Sequence, residues 1–208
     1  MTRLKAIVVD FDGTLCDHRH RLHFVDPEFD DDAVKEYEEV CRHGIPMDES
    51  KFRWFTSKGE QWKPNYEAYH LAMFEDTVVQ STHKLLWSIG KYHTILYVTS
   101  RPERFKDQVL DWLHQECDLP YGENALFMRP DFHPTDMELD LVETLHGTIP
   151  GLMYQPKPDH RPASVVKREI YEKHIRDHYE VLFAIDDCED ICEMWRSLGI
   201  TTLKVGLA

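Results

Sequence analysis

The stretch Leu4-Lys5-Ala6-Ile7-Val8-Val9-Asp10-Phe11-Asp12-Gly13-Thr14 carries an apolar run straight into two aspartates one residue apart. The run is short, ends in β-branched residues and stops just ahead of a glycine. It reads as a buried parallel strand over 4–9. Two carboxylates on one tight turn repel each other unless positive charge lies beside them. The turn therefore asks for a cation, and the rest of the chain has to supply or bind one.

Working outward, strand and helix patterns alternate. Strands are expected at 93–99, 125–128, 181–185 and 201–205. Helices are expected at 33–42, 65–74, 77–89, 102–117, 163–175 and 189–198, with Gly90 and Gly199 as stops. The stretch 131–162 is rich in Pro, Asp and His and reads as a long loop. Alternation of this kind predicts an α/β fold with a mainly parallel sheet. Such sheets bind ligands beyond the carboxyl ends of their strands. Asp10 and Asp12 leave the first strand there. Thr99, Ser100 and Arg101 leave the second, and Asp186 and Asp187 leave a later one. Lys167 lies early in the helix before Asp186 and is placed to reach the same edge.

Carboxylates gathered at one edge, with no His or Cys among them, suit a hard divalent ion, and Mg²⁺ above all. Asp10, Asp12, Asp186 and Asp187 are the candidate ligands. The same set suits phosphoryl transfer. Asp10 would attack phosphorus as nucleophile, and Asp12 would act as general acid and base. Thr99 would donate to the phosphoryl oxygens, and Lys167 would offset their charge. Taken singly, each piece has a plainer reading. A DxD pair occurs in many loops, Thr99 can be satisfied locally, and Lys167 can be a solvated helix residue. Asp186-Asp187 can cap the helix that follows. Their joint placement, in the order one mechanism requires, is what argues for an enzyme.

Bulk properties set limits. The chain has 208 residues, a formal net charge of −14, 42% hydrophobic and 12% aromatic residues. An acidic surface disfavours an extended grip on nucleic acid, though not a local phosphate site with its own cations. Five cysteines at irregular spacing argue against a disulfide framework or structural zinc. No apolar run reaches membrane-spanning length, and the N-terminus shows no signal-peptide pattern, so a cytoplasmic protein is expected.

Several further groups stand out. Asp17-His18-Arg19-His20-Arg21 follows the first motif, and Arg21 is a candidate phosphate clamp. His18, His20 and His23 lack a specified fourth ligand for a transition metal. Trp54, Phe55, Trp62, Tyr66, Tyr69 and Phe74 form an aromatic group, read as a small core that could double as a base-stacking platform. Trp195, with Ile191, Met194 and Leu198 at helical spacing, reads as core. Arg129 follows a strand and is a further candidate for binding substrate.

DFDGT at 10–14, the strand ending in Thr99, Lys167 and the Ile185-Asp186-Asp187 triplet resemble the four motifs of the haloacid dehalogenase superfamily. Asp12 places the resemblance with that superfamily's phosphatases. Val165 to Ile200, TSRPE at 99–103 and His20-Arg21-Leu22 resemble more narrowly the 3′-phosphatase domain of bacteriophage polynucleotide kinase. The resemblance implies a Rossmann-like core from 1–23 and 77–208, with an inserted, mostly helical cap at 24–76. It implies Mg²⁺, an aspartyl phosphate, and contacts of Arg21 and Arg101 with the substrate phosphate, with Ser100 beside them. The implied substrate is a phosphorylated nucleotide or a nucleic-acid 3′-phosphate end. A 5′-mononucleotide is the alternative, and a catalytically weak nucleotide-binding or regulatory module is an alternative of another class. Two departures bear on this. The stretch after the first motif is longer than in that domain, and Ala163-Ser164 stands where it has an acidic pair. No GxxxxGK[ST] loop occurs in these 208 residues.

Overall fold

The computed structural model describes residues 3–29, 63–119, 125–132 and 158–206. These fall into two compact units, Met1–Leu15 with Val78–Ala208, and Cys16–Thr77. The expected helix at 33–42, Trp54, Phe55 and Trp62, and most of the expected 131–162 loop lie outside the described residues.

The larger unit is built on five parallel strands. They are β1 (Leu4–Val9), β2 (Thr94–Pro102), β3 (Leu126–Arg129), β4 (Tyr179–Asp186) and β5 (Thr202–Lys204). Their spatial order is β3-β2-β1-β4-β5. β1 is central, with Val9 opposite Tyr97 of β2 and Ile185 of β4. The motif strand therefore has a motif-bearing neighbour on each side. The α/β fold with a parallel sheet is the outcome the strand pattern predicted, and its Rossmann-like character is what the resemblance implied.

Ala6, Ile7, Val8 and Val9 are all buried, so β1 is covered on both faces and reads as a continuous apolar run rather than an alternating one. Ala6, Val8, Leu96, Val98 and Ala184 pack on one face against Val166, Ile170, Ile191, Met194 and Trp195. Beyond the strand, Phe11 is fully buried, with its ring 5.6 Å from Tyr97 and 6.0 Å from Trp112. Trp195 is core, as its spacing predicted.

Among the described residues, four helices belong to this unit. They are α1 (Gln80–Ile89), α2 (Lys106–Trp112), α3 (Ala163–Ile170) and α4 (Glu189–Ser197). α2 and α3 each run on into a wider π-type turn, at Leu113–Cys117 and Tyr171–Ile175. Two boundaries differ from expectation. α1 begins at Gln80 because Thr77–Val78 is extended. β2 runs through Pro102, so Thr99, Ser100 and Arg101 lie inside its last turn of pleat rather than after it. Its pairing with β3 shifts register between Val98 and Pro102, the irregularity that lets the strand bend there.

In the smaller unit, the helical turn Arg19–Phe24 and the short helix Tyr66–Leu71 are tied by Asn65, whose N–H donates to the Phe24 carbonyl at 2.7 Å. Asn65 also caps that helix, accepting the Ala68 N–H at 3.0 Å.

Candidate active site

β1 ends by handing Asp10 to a tight turn. The Asp10 N–H still donates to Ile185 of β4 at 3.0 Å, and Thr14 and Leu15 donate back to the Phe11 carbonyl at 3.1 and 2.8 Å. Gly13 closes the turn at φ 80°, where a side chain is strained. Space forbids one as well, since a Cβ there would sit 2.2 Å from the Asp187 carboxylate. The backbone must approach Asp187 closely, and Thr14 exploits this by donating its hydroxyl to Asp187 Oδ1 at 3.1 Å.

Lys167 comes up from α3 between the two aspartate-bearing strands. Its ammonium lies 2.7 Å from Asp10 Oδ1 and 2.8 Å from Asp186 Oδ2, and all three side chains are buried. Asp186 is the last residue of β4, and its Oδ1 also accepts the Cys188 N–H at 3.1 Å. Burial pushes the Asp10 carboxyl up to about 7 despite the pull of Lys167, and Asp186 adds to the rise. Burial lifts Asp186 and Asp187 too. Burial by itself would lower Lys167, but the Asp10 and Asp186 carboxylates hold it above the ordinary lysine range.

Asp10, Asp186 and Asp187 bring oxygen atoms within 4.8 Å of one another. With the Lys167 ammonium among them, three carboxylates leave a formal charge of minus two. A divalent cation would cancel that charge, and an all-oxygen donor set without His or Cys is what Mg²⁺ prefers. The residues present fit the ion that the motifs imply.

Asp12 is placed differently from the other acids. Its two oxygens are held by Arg101, at 3.0 Å from Nε and 2.7 Å from Nη2. Arg101 is itself buried, with its guanidinium carbon 5.3 Å from the centre of the Phe11 ring. Phe11, the residue between the two aspartates, thus supports the arginine that orients the second of them. Thr99 is buried, and its Oγ1 accepts the Arg101 N–H at 3.2 Å, which leaves its own proton to donate. Ser100 is half-buried between them.

Arg129 ends β3 and braces the edge. It donates from Nε to the Ser100 carbonyl at 2.9 Å, and from Nη1 to the carbonyls of Asp159 at 3.2 Å and Arg161 at 2.7 Å. Arg161 in turn forks onto Asp159 at 2.9 and 2.8 Å and reaches Glu169 of α3. This network, which residue patterns did not single out, anchors the segment that leads into the Lys167 helix. In the smaller unit, Arg21 is fully buried and forks onto Asp76 at 2.6 and 2.7 Å, stacked over Tyr69 at 4.0 Å. His20 and His23 turn their ring nitrogens to the carbonyls of Ala72 and His20. Of the missed residues, Thr14 had a signal in the motif itself, whereas Asp159 and Arg161 had none.

Residues 133–207 match the family model of the polynucleotide kinase PNKP phosphatase domain. That match takes in the C-terminal stretch of the chain, which carries Lys167, Asp186 and Asp187. Solved structures share the fold. A chain of the Pnkp1/Rnl/Hen1 RNA repair complex aligns at a TM-score of 0.56 and 15% identity, over 98% of this chain and 42% of that one. A second structure of that complex gives 0.56 at 16% identity, over 98% and 46%. The chain thus spans less than half the length of these two chains. A Clostridium difficile protein described as a candidate phosphatase aligns at 0.52 and 14% identity, over 100% of this chain and 88% of that one. Among the described residues, no helix is long and apolar enough to cross a membrane.

Proposed function

We propose that this protein is a Mg²⁺-dependent phosphomonoesterase of haloacid dehalogenase type that works through an aspartyl phosphate and removes the 3′-phosphate from a nucleotide or nucleic-acid end. The observation that carries the chemistry is the buried Asp10–Lys167–Asp186 triplet beside Asp12 and Asp187. An Asp10 oxygen attacks phosphorus while the bond to the ester oxygen breaks, and Asp12 gives that oxygen its proton. Asp12, now a carboxylate, takes a proton from water. The water oxygen then attacks the same phosphorus, the bond to Asp10 breaks, and inorganic phosphate leaves. Lys167 and the Thr99 hydroxyl hold charge that builds on the phosphoryl oxygens. Mg²⁺ held by Asp10, Asp186 and Asp187, with Asp12 close by, would supply the remaining positive charge.

Arg101 belongs to this reading in two ways, orienting Asp12 and lying within reach of the phosphate. A guanidinium forked onto a carboxylate binds phosphate by exchanging one anion for the other, so Arg101 would loosen Asp12 as substrate arrives. The same exchange, from Asp76, is what a clamp role for Arg21 demands. Ser100 completes the phosphate contacts, and Arg129 fixes the backbone that presents it. The 3′-end reading is supported by the polynucleotide kinase phosphatase match and by relatives that form an RNA repair complex.

The test is phosphate release with Mg²⁺ from a 3′-phosphorylated oligonucleotide, a 3′-mononucleotide and a 5′-mononucleotide. The expectation is fastest release from a 3′-phosphate and none with Asp10→Asn. Preference for the 5′-mononucleotide would replace the substrate assignment. Activity retained by Asp10→Asn would remove Asp10 as nucleophile.

A further inference from the structure

A cavity of about 410 Å³ lies along the edge of the sheet, between β3 and one face of α3 with its following turn. Its volume lies in the range of small-ligand pockets. We propose that it holds a nucleobase of the substrate, an assignment that rests on the nucleotide reading above.

Position is the first argument. Val166, at the near end of the helical wall, is the immediate neighbour of Lys167. Pro130 and Glu103, on the other walls, directly follow the ends of β3 and β2. The cavity therefore opens at the same carboxyl edge that carries Asp10 and Asp12. From Val166 to His174 the helical wall extends about 12 Å away from that edge.

The lining chemistry is the second. Phe132 presents an aromatic ring that is 41% exposed. Farther along the wall, Phe127 and His174 already stack, at 6.0 Å between ring centres and 25° between planes. Flat aromatic faces in a half-open cavity are what a base stacks on. Charge disfavours a phosphate as occupant: among the described residues of the lining, Glu103 and Glu169 oppose Lys173, with no surplus of positive charge. Glu169 is taken by Arg161 and Lys173. The Glu103 carboxylate makes no hydrogen bond or ion pair among the described residues, and so can accept from a base's exocyclic amine.

The experiment compares two 3′-phosphorylated oligonucleotides, one complete and one lacking the last two bases, with wild type, Phe132→Ala and Phe132→Trp. Wild type should favour the complete strand about tenfold, through KM. Phe132→Ala should lose that preference while its rate on the base-less strand stays unchanged, and Phe132→Trp should keep it. Equal use of both strands by wild type, or an equal loss on both in Phe132→Ala, overturns the proposal. A phosphate-free probe, 2-aminopurine riboside, separates this from failure of the phosphatase reading. Its fluorescence should be quenched by wild type and not by Phe132→Ala, whether or not phosphate is released. No quenching by wild type overturns the base site.

Discussion

Lys167→Met removes the ammonium that lies 2.7 Å from Asp10 and 2.8 Å from Asp186, and leaves two buried carboxylates facing each other. Breaking a buried pair from one side costs about 3–5 kcal/mol. Burial gives an independent measure. Asp10 stands at about 7 against an ordinary 3.8, so ionising it inside the fold already costs roughly 4 kcal/mol with Lys167 present. The sign follows from linkage. A carboxyl raised by folding favours the native state at low pH, and that advantage is lost as pH rises from 3.8 through about 7. Without Lys167, the Asp10 and Asp186 carboxyls rise further, and the loss extends to higher pH and grows. Thermal unfolding of the metal-free protein at pH 8 should show a fall of roughly 10 °C in Lys167→Met. At pH 5, below the value of about 7 for Asp10, the difference from wild type should shrink to less than half. Equal destabilisation at both pH values would refute the reasoning, because the cost would then be lost packing rather than unpaired charge.

Mg²⁺ should raise the Tm of the wild-type protein more at pH 8 than at pH 5.5, and a chelator should reverse it, because binding must displace the proton that Asp10 holds below about 7. A shift independent of pH would place the ion away from Asp10. Gly13→Ala sets a Cβ 2.2 Å from Asp187 at a φ of 80°. Its stability should fall by about 1–3 kcal/mol in urea unfolding, with the Mg²⁺-induced Tm shift lost; a retained shift would mean the turn does not shape the acidic cluster.

The elements that could be read directly from residues are those whose cause is local. Val8-Val9-Asp10-Phe11-Asp12 needs no partner to announce a buried strand and an acidic turn, and Ile185-Asp186-Asp187 repeats the pattern. The end of β2 was not legible in this way. Whether Ser100 and Arg101 continue the strand depends on β3 lying alongside with a shifted register, which residue propensity does not encode. The same holds for Ala163-Ser164. An acid is absent just ahead of Lys167, yet Asp159, earlier in the chain, anchors that approach through Arg161 and Arg129.

By itself the sequence determined that Asp10, Asp12, Thr99, Lys167, Asp186 and Asp187 lie at one edge of a parallel sheet. Alternating strands and helices of this length leave little choice of edge. Only the tertiary structure decided which charges meet. Lys167 bridges Asp10 and Asp186, whereas Arg101, 89 positions along the chain from Asp12, takes that acid for itself. Strand order and side-chain reach set those pairs. Both depend on how β1 is flanked by β2 and β4, so contacts across such distances are a property of the packed sheet rather than of any local stretch.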